Sequence, residues 1–218
     1  MGERAAAGAS VRIPKVIHRI WLGGPMPPVV ARYGKAWRDL HPGWLVRTWR
    51  DWDLPALTHQ EWFDRAPSPA QRADIARLEL LHRYGGVYVD TDFEPLKPLD
   101  ALIAGTSCFI ATEDGRWLAT GIMGAVPGHP FVADLIDGLP HSIQENQDAP
   151  PNQQTGPKYV TRRYQAYTEA HPDDPVTVFP AALFYPYHFT EPERAGDVFP
   201  DAYAVHHWSH SWKPSEQA

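Results

Sequence analysis

The residues best suited to chemistry in this chain begin with Asp90-Thr91-Asp92, which closes an apolar run, Val87-Tyr88-Val89, set directly behind Gly85-Gly86. Side chains alternate along a strand, so Asp90 and Asp92 share a face with Tyr88 while Thr91 points the other way, with Cα atoms ~6.6 Å apart. Oxygens from both carboxylates can then converge on one hard divalent cation at about 2.0–2.6 Å, which suits Mg²⁺ or Mn²⁺. Such ions take their remaining ligands from water and phosphate, so a nucleotide or other phosphate substrate is expected. The cation also relieves the repulsion between neighbouring carboxylates. An acidic tripeptide alone is more often solvated surface; the apolar strand and double glycine before it set this one apart.

A second group lies on the helix expected over residues 68–84. At about 100° per residue, Ala73, Ala76, Leu78, Leu80, Leu81 and Tyr84 define one broad apolar arc, with Arg72, Glu79, His82 and Arg83 opposite. Asp74 and Arg77 fall inside that arc, where charge is rarely tolerated without a partner. An ordinary i,i+3 ion pair contributes only about 0.2–0.5 kcal/mol to a helix. Position argues for more, because this helix delivers the chain to the acidic pair and four charges converge. The third group is His206-His207, on a strand expected over residues 203–208 beside Trp208 and Trp212. Alternation lets only one of the two histidines aim into a shared site, and a metal ligand is expected from one of them.

The elements that must position these residues alternate between types. Strands are expected over residues 13–22, 44–49, 87–90, 108–111, 176–179 and 203–208. Helices are expected over 29–40, 68–84, 130–138 and 158–170, with a broken helical stretch over 54–65. The 68–84 helix is the best marked, with Ser68 as N-cap, Pro69 in its first turn, Gln71 completing a capping box and Gly85 as its stop. Residues 145–157 read as an exposed polar loop, with Asn152 to Thr155 and Gly121 as candidates for contacting sugar or acceptor. The alternation predicts an α/β fold with a central sheet flanked by helices. One domain is expected over residues 11–214, with 1–10 and 215–218 as flexible tails.

Composition narrows the classes further. With 218 residues, 43% hydrophobic and 21% charged, the chain is of ordinary globular type. A net charge of −6 disfavours a general nucleic-acid binder, which needs clustered Lys and Arg. The single cysteine, Cys108, rules out an internal disulfide and reads as part of a buried strand. No run suits a signal-peptide core or the ~20 apolar residues of a spanning helix. A cytoplasmic protein is expected, at most peripheral to a membrane.

Three segments taken together resemble the DXD-containing glycosyltransferases of family 32, the group of Och1-like mannosyltransferases and α-1,4-galactosyltransferase-like enzymes. More distantly the chain is similar to the glucosylating domains of large clostridial toxins. The segments are Ile13-Pro14-Lys15-Val16-Ile17-His18-Arg19-Ile20-Trp21-Leu22-Gly23-Gly24, Arg72-Ala73-Asp74-Ile75-Ala76-Arg77, and Gly85-Gly86-Val87-Tyr88-Val89-Asp90-Thr91-Asp92, followed later by Thr155-Gly156-Pro157 and the 206–212 tail.

The resemblance implies a GT-A-like (Rossmann-like) mixed sheet and a metal-dependent transfer of a hexosyl or related sugar, with retention, from a UDP- or GDP-sugar. The acceptor class stays open between a saccharide, a lipid-linked glycan, a natural product and a protein. Carried over residue by residue, Trp21 borders the base, Asp74 and Arg77 hold the donor's sugar and phosphate, and Tyr88 lies along the nucleotide. Asp90 and Asp92 hold Mn²⁺ or Mg²⁺ and the ribose, with His206 as further ligand and His207 as alternative. Ser211 and Trp212 close over the diphosphate. Catalytic roles then fall to Asp74, Arg77 and Asp92, and no carboxylate stands out as a covalent nucleophile.

Two other readings compete. A haloacid-dehalogenase-like phosphohydrolase also places Asp-x-Asp at a strand end, with Asp90 as nucleophile, Asp92 as acid/base, and a later Lys and acidic pair for which Lys158 and Asp173-Asp174 are the available residues. A non-catalytic sugar-nucleotide-binding protein fits the nine tryptophans.

Overall fold

The computed structural model describes residues 12–209, so Ser211 and Trp212 lie outside the described residues. In chain order the elements are β1 (Val16–Ile20), α1 (Pro28–Leu40), β2 (Leu45–Trp49), α2 (Gln60–Arg65), α3 (Pro69–Tyr84), β3 (Gly86–Val89), β4 (Phe93–Pro95), β5 (Cys108–Thr112), β6 (Leu118–Ala125), α4 (Pro130–Glu145), α5 (Pro151–Gln154), α6 (Pro157–Ala170), β7 (Thr177–Phe179) and β8 (Ala204–His206). Six strands form a mixed sheet in the order β2-β1-β3-β6-β5-β7, and β4 pairs with β8 in a separate two-stranded ribbon. β6 runs antiparallel to both its neighbours, and the other pairings in the sheet are parallel. As a result β1, β3 and β5 end, and β6 begins, along one edge of the sheet.

Each face of the sheet carries its own core. On one, Ile75, Leu78 and Leu81 of α3, Leu135 of α4 and Val160 of α6 pack on Ile20, Tyr88, Ile110 and Met123. On the other, Trp37 of α1 and Phe184 pack with Ile17, Val87, Val89, Phe93 and Phe109. Full burial of side chains of this size contributes roughly 1.5–3 kcal/mol each, so the sheet is held rigidly from both sides. Tyr88 and Val89 face opposite layers as strand alternation requires.

Several elements depart from the sequence expectation. β6 was not foreseen: its Leu-Ala-Thr-Gly-Ile-Met-Gly-Ala run is buried throughout, so alternation is lost, and Gly124 leaves room for the Phe109 ring. α4 continues past Gly138 to Glu145 with Pro140 inside it. Proline cannot donate to the Ile136 carbonyl four residues back, and the His59 Nε2 fills that place at 3.1 Å. Residues 145–157 are exposed over most of 145–152, as expected, but α5 forms within them and Gln154 and Thr155 at their end are buried. Ser68 does cap α3, accepting from the Gln71 amide at 3.2 Å, but the Gln71 side chain donates to Gln154 Oε1 at 2.6 Å rather than closing a capping box. Glu79, placed opposite the apolar arc, is 5% exposed because α2 covers that side, where its carboxylate accepts from the Thr58 and His59 amides at 2.6 and 2.8 Å.

Candidate active site

The charges on the buried side of α3 are Asp74 and Arg77, 9% and 4% exposed. Arg77 Nη2 lies 3.0 Å from Asp74 Oδ1 and 3.3 Å from Asp90 Oδ1, and its guanidinium sits 4.5 Å over the Tyr88 ring. Arg77 Nη1 donates to the Thr120 carbonyl of β6. The Thr155 hydroxyl donates to Asp74 Oδ2 at 2.7 Å, and the Tyr88 hydroxyl to Asp90 Oδ1 at 2.6 Å. One guanidinium thus faces two carboxylates. Burial alone would lower Arg77, but Asp90, Tyr88 and Asp74 more than offset it and hold it protonated. Burial pushes Asp74 and Asp90 above the ordinary carboxylate value, with Arg77 pulling each the other way.

β3 ends at Val89, so Asp90-Thr91-Asp92 forms a turn rather than the end of a strand. The turn is pinned at every residue. The Asp90 amide donates to Gly121 O at 2.7 Å, the Phe93 amide to Asp90 O at 3.2 Å, and Arg19 Nη2 to Thr91 O at 2.7 Å. Arg19, 1% exposed, also donates to Val30 O at 3.0 Å and threads past Gly34, where any Cβ would collide with it. Sequence reasoning assigned Arg19 no role, because an arginine on an exposed strand looks the same in sequence.

The turn hands the chain to β4, which pairs with β8 in a register that sets Phe93 opposite His206. His206 Nε2 lies 3.1 Å from Asp92 Oδ1. Trp208 takes a positive φ of 50°, a strained conformation for a bulky residue, and this bend brings Ser209 back, so that its amide and hydroxyl each donate to Asp92 Oδ2 at 2.9 Å. Ligand atoms of Asp90, Asp92 and His206 all lie within 4.8 Å of one another. His207 points the other way, with Nε2 at 2.8 Å from Glu94 Oε2 and its ring stacked on Tyr33. Burial opposes ionisation of Asp92, yet His206 and Ser209 together hold it well below the usual carboxylate range. Burial would lower His206, and Asp92 raises it.

These groups open onto a cavity of about 750 Å³ lined by Trp21, Asp74, Arg77, Tyr88, Asp90, Asp92 and His206, with Ser68 and Pro69 at the start of α3, Asn152, Phe189 and Trp208. Tyr88 is 1% exposed, its hydroxyl committed to Asp90, so it supports the acidic turn from below. The Trp21 Nε1 is buried without a partner. Gly121 packs against the acidic turn, where a Cβ would come within 2.9 Å of both Asp90 Oδ2 and the Tyr185 hydroxyl. Glu113, Thr120 and Ser209 had no sequence signal of their own. Thr155 stood among the candidates for sugar contact, and it instead holds Asp74. The phosphohydrolase reading finds no support: Lys158 packs on Trp117, Asp174 accepts from the Tyr167 hydroxyl, and neither lines the cavity.

Residues 27–109 match the family model described as a glycosyltransferase sugar-binding region containing the DXD motif. The chain is 27% identical over 193 residues to inositol phosphoceramide mannosyltransferase 1 of Schizosaccharomyces pombe, covering 84% of this chain and 60% of that protein. It is 33% identical over 135 residues to mannosyl phosphorylinositol ceramide synthase CSH1 of Saccharomyces cerevisiae, covering 59% and 36%. The chain therefore spans less than two thirds of the length of these relatives. In fold it is similar to the UDP-bound glycosyltransferase domain from the YGT toxin, with a TM-score of 0.58 at 13% identity over 77% of this chain and 80% of that one. Acidic turn, buried charge pair and mixed sheet thus coincide with these likenesses: residues 27–109 are similar to the glycosyltransferase sugar-binding region that carries the DXD motif, and the fold is that of GT-A glycosyltransferase domains.

Proposed function

We propose that this chain, as a catalytic domain over residues 11–214, moves a hexosyl group from a nucleotide-diphosphate sugar to an acceptor hydroxyl, with retention at the anomeric carbon. The observation that carries the reading is the convergence of Asp90, Asp92 and His206 within 4.8 Å, on a cavity that the Asp74–Arg77 pair also lines. Two carboxylates and one imidazole fit a divalent ion, and the mixed oxygen and nitrogen set favours Mn²⁺ over Mg²⁺. Such an ion, when bound, neutralises negative charge on the leaving diphosphate.

The chain's own residues do the rest. Arg77, held protonated by its two carboxylates, faces the same developing charge from the α3 side. Asp74, fixed by Thr155 and Arg77, presents an acceptor to sugar hydroxyls, and Trp21 borders the nucleoside. Ser209 and the Trp208 bend hold Asp92 in place. The similar fungal proteins are named for mannosyl transfer, so a mannosyl donor is the first to try, as a GDP- or UDP-sugar. A saccharide or a lipid-linked headgroup is the acceptor we favour, reached in the cytoplasm or at a membrane surface. Among the described residues no helix is long and apolar enough to cross a membrane.

Asp92→Asn tests the reading, because the amide keeps the shape and one acceptor but loses the charge. Donor consumption with Mn²⁺ should fall about 100-fold or more, and an unchanged rate refutes the assignment. A wild type that is stabilised by donor with Mn²⁺ yet never consumes it points to the sugar-nucleotide-binding protein instead. The anomeric coupling constant of the product reads the stereochemistry, and an inverted linkage refutes retention.

A further inference from the structure

The proposed donor machinery leaves one carboxylate in the cavity unexplained. Asp74 is held by Arg77 and Thr155, Asp90 by Arg77 and Tyr88, and Asp92 by His206 and Ser209. Glu113 lines the same cavity, half-buried, and no described residue gives its carboxylate a hydrogen bond or an ion pair. Its backbone is nonetheless fixed: the Glu113 amide donates to Trp117 O at 2.9 Å, and Asp114 Oδ1 closes the turn by accepting from the Arg116 and Trp117 amides at 2.9 and 3.0 Å. A partly buried carboxylate with a rigid backbone and no partner is held ready for a donor from outside the chain.

Sheet topology says which substrate that donor belongs to. Trp21 follows β1, Asp90 follows β3 and Glu113 follows β5, and these ends lie on one edge in the order β1-β3-β6-β5. At about 4.8 Å per strand, Trp21 stands roughly 5 Å to one side of the acidic turn and Glu113 roughly 10 Å to the other. A donor with its nucleoside toward Trp21 and its diphosphate at Asp90 and Asp92 leaves the Glu113 end for the second substrate. Glu113 lies within electrostatic reach of His206 and His188, and each of these rings stands beside an aromatic face, Trp208 and Phe189. Phe189, 46% exposed, stands 5.8 Å from Trp208, whose ring is fixed 4.3 Å from His206 by the positive-φ bend.

We propose that Glu113, Phe189 and Trp208 form the acceptor subsite, and that the acceptor unit bound there is a neutral ring polyol, a saccharide or a cyclitol, which lays a C–H face on the aromatic rings and donates hydroxyl hydrogens to the Glu113 carboxylate. The proposal rests on the transferase reading above. Aromatic faces take the apolar side of such a ring, and a carboxylate, an acceptor only, selects for its hydroxyl donors.

The test uses the described chain with a GDP- or UDP-mannose donor, Mn²⁺ and myo-inositol as probe acceptor, and reads the ratio of glycosyl-inositol to free sugar within each reaction, so that any change in donor consumption cancels. Glu113→Ala should lower that ratio about tenfold or more and Glu113→Gln, which keeps one acceptor oxygen, by less; Phe189→Leu should raise the inositol concentration needed for half-maximal diversion. The rise in melting temperature on adding donor with Mn²⁺ should persist in both Glu113 variants. A ratio unchanged in Glu113→Gln and Glu113→Ala overturns the subsite, and so does loss of the donor-induced rise, which would assign Glu113 to the donor. Hydrolysis of donor by the wild type with no glycosyl-inositol overturns the substrate class, whereas no donor consumption at all overturns the transferase reading together with the subsite.

Discussion

Thr155→Val isolates the link between the α5 region and the buried charge on α3. Thr155 is 1% exposed and its hydroxyl donates to Asp74 Oδ2 at 2.7 Å. Valine nearly preserves the shape, so the loss is one hydrogen bond to a buried carboxylate, a contribution of roughly 1.5–3 kcal/mol. For a chain of this length each kcal/mol moves the melting temperature by about 2–4 °C, which gives a fall of roughly 3–12 °C at pH 7.5. The pH dependence has a definite sign. Burial raises Asp74 above its unfolded value, and Arg77 and Thr155 pull it back, so removing Thr155 raises it further. A carboxyl whose folded pKa is raised contributes stability that is fully present below its unfolded value of about 3.9 and lost as pH rises through the folded pKa. The deficit of Thr155→Val is therefore largest near pH 7.5 and shrinks toward pH 4.5. Differential scanning calorimetry at both pH values measures it, and Asp74→Asn combined with Thr155→Val should show strongly less than additive loss. A melting temperature within about 1 °C of wild type at pH 7.5, or a deficit independent of pH, refutes the coupling.

Two further outcomes follow from the same geometry. Ser209→Ala removes the hydroxyl donor to Asp92 Oδ2 and leaves the amide, so the Mn²⁺ concentration for half-maximal donor consumption should rise about tenfold, and an unchanged Mn²⁺ titration would remove Ser209 from the site. Burial lowers the imidazoles of His18, His41 and His129, whereas Asp92 raises that of His206 against burial. The first three contribute stability present above about pH 6.5 and lost as pH falls through their folded values, and His206 contributes stability present below about 6.5 and lost as pH rises. Imidazole NMR titrations of the metal-free chain should place His18 below about 6.5 and His206 above it, and the reverse order would contradict the burial of His18 and the pairing of His206 with Asp92.

What sequence made legible, and what it hid, divides along the range of the interaction. Asp74 and Arg77 stood out because charge inside an apolar helical arc must be paired, and α3 is long enough for that arc to be read; the structure pairs them at 3.0 Å. The acidic turn was legible for a similar local reason, as Gly85-Gly86 and three buried residues precede it. The link from Asp92 to His206 spans 114 residues, and the ribbon that makes it consists of two three-residue strands, β4 and β8, too short for any period to show. Alternation correctly required His206 and His207 to diverge but could not say which faced Asp92, because the register of a ribbon depends on its partner. Thr155 was hidden by composition, since a Pro-, Asn- and Gln-rich stretch reads as solvent-facing until Gln71 and Asp74 of α3 are there to bond it. Glu113 was hidden more deeply still, because its significance is a missing partner. An unpaired carboxylate in a cavity can be recognised only after every neighbouring acid has been matched to its cation or donor, and that matching exists only in the folded chain.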